Sequence, residues 1–143
     1  MIKFKINIDD KEMYKFLKKQ NGSIKVGFFK EDKYPDGKSV AEVAAFNEFG
    51  GLYTPPRPFM RDTSKKFTRK WIKAVRDLLP VNMDGKETLG LLGDEMVEDM
   101  QFIISTYMTP PNAPSTIKRK GRNDPLVDTK HMMNSVKWKG DWV

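Results

Sequence analysis

The chain has 143 residues, 38% hydrophobic and 31% charged, the balance of one globular domain with one core rather than two marginal ones. It has no cysteine and one histidine, His131, which excludes a disulfide framework, a thiol nucleophile and a thiolate or His-rich metal centre, and suits folding in a reducing cytoplasm. The net charge is +7, no apolar run approaches the ~20 residues that span a bilayer, and the alternating lysines of MIKFKINIDD do not make a signal peptide, so neither export nor a membrane partner is expected.

In chain order, Ile2, Phe4, Ile6 and Ile8 alternate with Lys3, Lys5 and Asn7, the period of a half-buried strand. Asp9 or Asp10 caps a helix over KEMYKFLKKQ, with Met13, Phe16 and Leu17 on one face, and Asn21-Gly22 stops it. SIKVGFF is a second strand, and KEDKYPDGKS is a surface loop or hairpin tip in which Pro35, Asp36 and Gly37 supply turn chemistry. Ser39, with Glu42 three residues on, opens a short helix that Gly50 closes. LYTPPRPF runs as an extended connector, because Pro55, Pro56 and Pro58 lack amide donors and push the residues before them into extended conformations.

From about Asp62 the period returns to 3.6: Phe67, Trp71, Ala74, Val75 and Leu78 form an apolar stripe, opposite Lys65, Lys66, Arg69, Lys70, Lys73 and Arg76, and Pro80 ends the helix. A second helix starts within 84–90 and runs to about Tyr107, with Leu89, Leu92, Met96, Met100, Ile103 and Tyr107 inward and Glu87, Asp94, Glu95 and Glu98 outward. Gly90 and Gly93 weaken its first turns. Ser115 and Gly121 bracket a single turn at STIKRK, and a helical turn after Asp128 leads into a last strand carrying Val136, Trp138 and Trp142. The expectation is one α+β domain, a small mostly antiparallel sheet packed against two long amphipathic helices. Its strands fall near 2–8, 23–29 and 135–142, its long helices near 62–79 and 86–107, and extended proline-rich segments at 51–60 and 109–126.

Catalytic signals are sparse. No G-x-S-x-G elbow, phosphate loop or G-x-G-x-x-G occurs, and His131 stands alone in TKHMMNS as a surface or partly packed residue. Asp94 and Glu98 form an i, i+4 pair that suits a hard cation or split acid and base roles, against the plainer reading of a solvated helix face. The basic helix, with KRKGR at 118–122, suits a phosphate backbone, but no helix-turn-helix, zinc finger or aromatic RNA-binding signature accompanies it. Residues 57–79 hold eight Lys/Arg against two acids, and residues 80–107 one lysine against six acids. The two faces are either both wet or apposed across a subunit boundary, where pairing would relieve self-repulsion and set register.

Four segments in order resemble one family, the bacteriophage tail-completion or neck proteins, also called tail-component or virion-morphogenesis proteins. They are VGFF with YPDGKSVAEVAAFNEFGG, then PPRPFMR, then PPNAPSTIKRKG, then DPLVDTKHMMNSVKW, spanning about residues 24 to 138. The resemblance implies a structural virion protein without catalysis or cofactor, assembled in the host cytoplasm and acting in tail completion or head–tail joining. It further implies a ring of commonly six subunits, with neck and tail partners such as a tail terminator or connector, and non-specific contact with DNA in the lumen. By that likeness Asn47, Glu48, Phe49, Gly50, Pro56, Arg57, Pro58, Phe59 and Arg61 match the first motif block. Pro111, Pro114, Ser115, Thr116, Ile117, Lys120, Gly121, Pro125, Leu126, Thr129 and Ser135 match the rest. Where the family carries Thr-Gly this chain has Thr129-Lys130, so a left-handed turn that glycine permits cheaply is expected to be built differently here. Glu48 is expected to pair with Arg57 or Arg61, charge-assisted and planar, with Phe59 as the hydrophobic anchor of the extended segment. The competing reading is a basic nucleic-acid-binding protein acting alone, with an enzyme as a more distant third.

Overall fold

A computed structural model describes residues 22–82 and 84–142. The strand expected at 2–8 and the helix after it lie outside the described residues. The elements are β1 (Gly22–Gly27), α1 (Val40–Phe49), α2 (Phe59–Asn82), α3 (Gly85–Thr106), α4 (Pro114–Lys120), α5 (His131–Asn134) and β2 (Lys137–Trp142). The α+β class holds: β1 and β2 pair antiparallel, from Gly22 opposite Trp142 to Gly27 opposite Lys137, and the two long helices pack with that sheet.

The helices α2 and α3 run antiparallel, since Asp62 meets Tyr107, Lys66 approaches Phe102, and Lys70 meets Asp99 and Glu95. Between them and the sheet lies the core. Phe59, Trp71, Val75 and Leu79 come from α2, Leu92, Met96, Met100, Ile103 and Ile104 from α3, and Ile24 and Val26 from β1, all buried. Val40 and Ala44 of α1 and Leu126, Val127, Met132 and Val136 of the C-terminal segment complete it. Of the residues expected inside the long helices, Trp71, Val75, Leu92, Met96, Met100 and Ile103 are buried, whereas Phe67, Ala74, Leu78, Leu89 and Tyr107 are half-buried at the margins and Leu79 lies inside instead.

Several boundaries differ from the sequence reading. The helix α2 begins at Phe59 rather than near Asp62, so the extended connector ends at Pro58. At its other end the helix passes through Pro80 to Asn82. A proline there removes the amide that would bond the Arg76 carbonyl, one bond lost near the end of a 24-residue helix. The segment 109–126 is not extended throughout, because 114–120 forms a two-turn helix in place of a single turn. Pro114 takes the first helical position, where its missing amide costs nothing, so Ala113 rather than Ser115 is the N-terminal boundary; Gly121 closes the helix as expected. Lys130 itself takes the left-handed conformation, at φ 63°, so the turn at Thr129-Lys130 is left-handed with a side chain in place.

Gly93 in α3 has a tertiary reason. A Cβ built there would stand 2.5 Å from the Trp138 ring, whereas one at Gly90 would lie at 3.6 Å, ordinary contact. The indole of β2 therefore lies directly on the α3 backbone and donates its Nε1–H to Asp94 Oδ1 at 2.7 Å.

Candidate functional site

The residues of the first motif block form a brace. The helix α1 starts at Ser39, whose Oγ accepts from the Glu42 amide, and stops at Gly50, whose φ of 80° a side chain would strain and whose absent Cβ would meet Pro56 and Thr54 backbone at 3.0 Å. The chain then doubles back: Gly51 N–H donates to Thr54 O, and Arg57 N–H to Asn47 O at 2.6 Å. Phe59 enters the core with no exposed surface, edge-on to Phe28.

Glu48 is the hub. It is only 2% exposed, and its carboxylate accepts from Met60 N–H at 2.8 Å, Arg61 N–H at 3.3 Å and Arg61 Nε at 2.7 Å. An acid from α1 thereby caps the N-terminus of α2, satisfying amides that have no intrahelical partner and opposing the positive end of the helix dipole. This explains why α2 begins three residues early. Of the two arginines expected as alternatives, Arg61 pairs with Glu48, and also donates to the Glu48 carbonyl and lies over the Phe49 ring.

Arg57 takes a different partner. At 5% exposure, its Nε donates to Pro110 O at 2.9 Å and its Nη2 to Pro111 O at 3.0 Å. Burial lowers its pKa from the ordinary arginine range. Two carbonyl dipoles hold the guanidinium, and the fork welds the first proline-rich segment to the second. Beside it, burial and the bond donated to Asp62 push the Tyr107 phenol up to about 12.

In the second block, Lys120 reaches beneath the following loop to Asp124 O at 2.8 Å, to Val127 O and to the Asp124 carboxylate. Arg122 donates to Asp124 and to Asp128 O. Desolvation would raise the Asp124 carboxyl, but the bonds from Lys120 and Arg122 outweigh it and hold it below the usual carboxylate range. Two cations of the KRKGR run are therefore spent on folding the loop, leaving Lys118 and Arg119 exposed. Leu126 is buried, Thr129 is exposed with its Oγ1 accepting from His131 N–H, and Thr116 is half-buried on α4. Pro56 is exposed and Pro58 half-buried, its carbonyl accepting the first helical bond of α2 from Asp62 N–H. His131 is half-buried, its ring tilted against that of Tyr34 at 4.8 Å, with its Nε2 3.0 Å from the Lys33 carbonyl.

The charged faces are not two uniform surfaces. Lys70 bridges Glu95 and Asp99 within the chain, and Asp99, 8% exposed, also accepts from Trp71 Nε1 at 2.7 Å. Desolvation acts to lower the Lys70 ammonium, but those carboxylates outweigh it and raise its pKa. Lys73 pairs with Asp77, and Lys66 lies over Phe67 and Phe102. Part of the opposition between basic α2 and acidic α3 is thus answered in one molecule, a correction to the reading that placed it wholly wet or wholly between subunits. Sequence reasoning also passed over Asp99, the packing of Trp138 on α3 and the link from Arg57 to residues 110–111. Only Trp138 left a trace, in the two small residues three apart on α3.

Around the turn of the brace, Phe46 is 61% exposed, Phe49 70%, Leu52 96% and Tyr53 97%. Among the described residues no group of three His, Asp or Glu side chains is placed to hold a metal ion, and no helix is long and apolar enough to cross a membrane. Compared with known protein families, curated proteins and solved structures, the chain matches none.

Proposed function

We propose that this chain is a structural virion protein of a tailed bacteriophage, acting in tail completion or head–tail joining as a ring-forming neck or tail-end component, with six subunits the expected number. The observation that carries it is the brace: an apolar tip of Leu52 and Tyr53 beside Phe46 and Phe49, held out by a segment anchored on buried Glu48, Arg57 and Phe59. Exposed apolar clusters of this kind serve protein contacts, and prolines and buried anchors lower the ordering cost of making them. The family-like segments also converge in space, through Arg57 on Pro110 and Pro111 and the contact of Asn47 with Met132.

Deletion of the coding sequence from the phage genome that carries it is expected to leave DNA-filled heads and tails that do not join, and supplying the chain in trans to restore infectious particles. Normal yields of infectious virions from the deletion would overturn the proposal. The second reading, a nucleic-acid-binding protein acting alone, draws on Lys65, Arg69 and Arg76, which are exposed on α2. It predicts a stable monomer that shifts duplex DNA at physiological salt.

A further inference from the structure

The outer face of α2 divides into two rows about 100° apart around the helix. The row of Lys66, Lys70 and Lys73 has the partners within the chain described above. The other row, Lys65, Arg69, Ile72 and Arg76, turns away from α3. Its three cations are exposed and, among the described residues, have no acidic partner; Ile72 is half-buried. On α3 the outermost row is Glu87, Leu91, Asp94 and Glu98, all exposed, with Leu91 46% so.

The two rows have the same spacing. Steps of 4, 3 and 4 residues lead from Lys65 through Arg69 and Ile72 to Arg76, and the same steps backwards lead from Glu98 through Asp94 and Leu91 to Glu87. Laid antiparallel, Lys65 faces Glu98, Arg69 faces Asp94, Ile72 faces Leu91 and Arg76 faces Glu87. Laid parallel, Arg69 would face Leu91 and Ile72 would face Asp94, so the match selects one direction. Each row covers about 16 Å of helix, three turns. The rows cannot meet inside one chain, because α2 meets α3 through Lys66 and Lys70, on the other row.

We infer that the Lys65, Arg69, Ile72 and Arg76 row of one copy docks antiparallel on the Glu87, Leu91, Asp94 and Glu98 row of the next, a head-to-tail contact between copies of this chain. Deepening the ring reading above, on which it rests for closure, it assigns the surfaces that successive subunits share. Asp94 takes part with its second carboxylate oxygen, Oδ1 being held by Trp138. The contact has an apolar centre flanked by ion pairs, and both partners use different surfaces, as ring closure requires. A single helix pair falls short of the ~800 Å² per partner of a stable complex, so association is expected to be weak in pairs, salt-sensitive and strengthened by closure.

Sedimentation velocity of the full chain tests it, at low and high salt, on wild type and two variants. The first carries Lys65→Glu and Arg76→Glu, sparing Arg69; the second carries Glu87→Lys and Glu98→Lys, sparing Asp94, so the pair of Arg69 with Asp94 is kept in every combination. All changed residues are exposed, and circular dichroism checks that each variant folds. Wild type is expected to associate at low salt and dissociate at high salt, and each variant alone to weaken association by about tenfold or more. Mixing the two variants one to one is expected to restore it, since each then meets an opposite charge on both sides. A wild type that stays monomeric, a variant that associates as wild type does, or a mixture that stays dissociated would each overturn the register. So would loss confined to the first variant, with nucleic acid in the wild-type assembly, which would assign the basic row to phosphate. A wild-type ring indifferent to both reversals sinks the register and leaves the ring reading standing, whereas infectious virions lacking the chain sink the ring reading and leave the register.

Discussion

Glu48 and Arg61 form one ion pair, but the two partners differ in what their removal exposes. Glu48 is buried and serves two backbone amides besides the guanidinium, while the Arg61 side chain is 62% exposed. Glu48→Ala is therefore expected to cost about 2–3 kcal/mol, combining loss of a helix cap with buried donors left unmet. Arg61→Ala is expected to cost less, about 1 kcal/mol, because the buried Glu48 carboxylate loses the guanidinium but keeps both backbone amides and the positive end of the α2 dipole. Urea denaturation of both variants checks the asymmetry, and equal losses would mean that the pair, rather than the cap, is what Glu48 provides. The glycines of α3 give a second contrast. Gly93→Ala should destabilise by about 1–3 kcal/mol, because Trp138 must move off a well-packed position. Gly90→Ala should stabilise by up to about 1 kcal/mol, since its Cβ fits and alanine favours helix. The same denaturation series reads both signs.

Among the elements, the brace and the 109–121 segment are held together by Arg57. Lysine cannot fork to two carbonyls, so Arg57→Lys should leave one of the Pro110 and Pro111 carbonyls unbonded and cost about 1–3 kcal/mol. Hydrogen exchange should show faster opening of 112–121, whose amides depend on that segment staying in place, with the core of α3 unchanged; uniform loss of protection would instead mean that the whole fold rests on the fork. The start of α2 shows the same dependence of one element on another. Its first turn has no cap from its own preceding residue, Pro58, and takes one from α1 instead.

Over the whole molecule, the packing of α2 against α3 carries an alkaline limit. Tyr107 bridges them through Asp62, and its folded pKa of about 12 lies above the unfolded value of about 10. A raised folded value means the neutral phenol is favoured by the fold, so this stabilisation is complete below about pH 10 and lost as pH climbs through about 12. The raised Lys70 ammonium acts in the same direction, its contribution lost above the ordinary lysine range. Thermal denaturation from about pH 8 to 12 should show a falling midpoint only in the upper half. Tyr107→Phe, which has no hydroxyl to ionise, should fall less steeply; identical slopes would place the alkaline limit elsewhere.

Local pattern determined much of this protein. Periodicity placed both long helices, apolar β-type runs placed the strands around Ile24 and Trp138, and cap and stop residues placed the Ser39-to-Gly50 helix, because all of these signals are short-range and contained in any window of the chain. The candidate pairing of Glu48 was legible to within two arginines for the same reason, as residue types close in sequence across a proline-rich turn. What only the tertiary structure decided were the partners far apart in the chain: Arg57 with Pro110 and Pro111, Trp138 with Gly93 and Asp94, and Lys70 with Asp99. The same holds for the boundary of α2, which moved to Phe59 because a carboxylate from another helix meets its amides. Composition and period say which side of an element is buried, whereas the partner of a buried polar group depends on which surfaces the folded chain brings within hydrogen-bond reach.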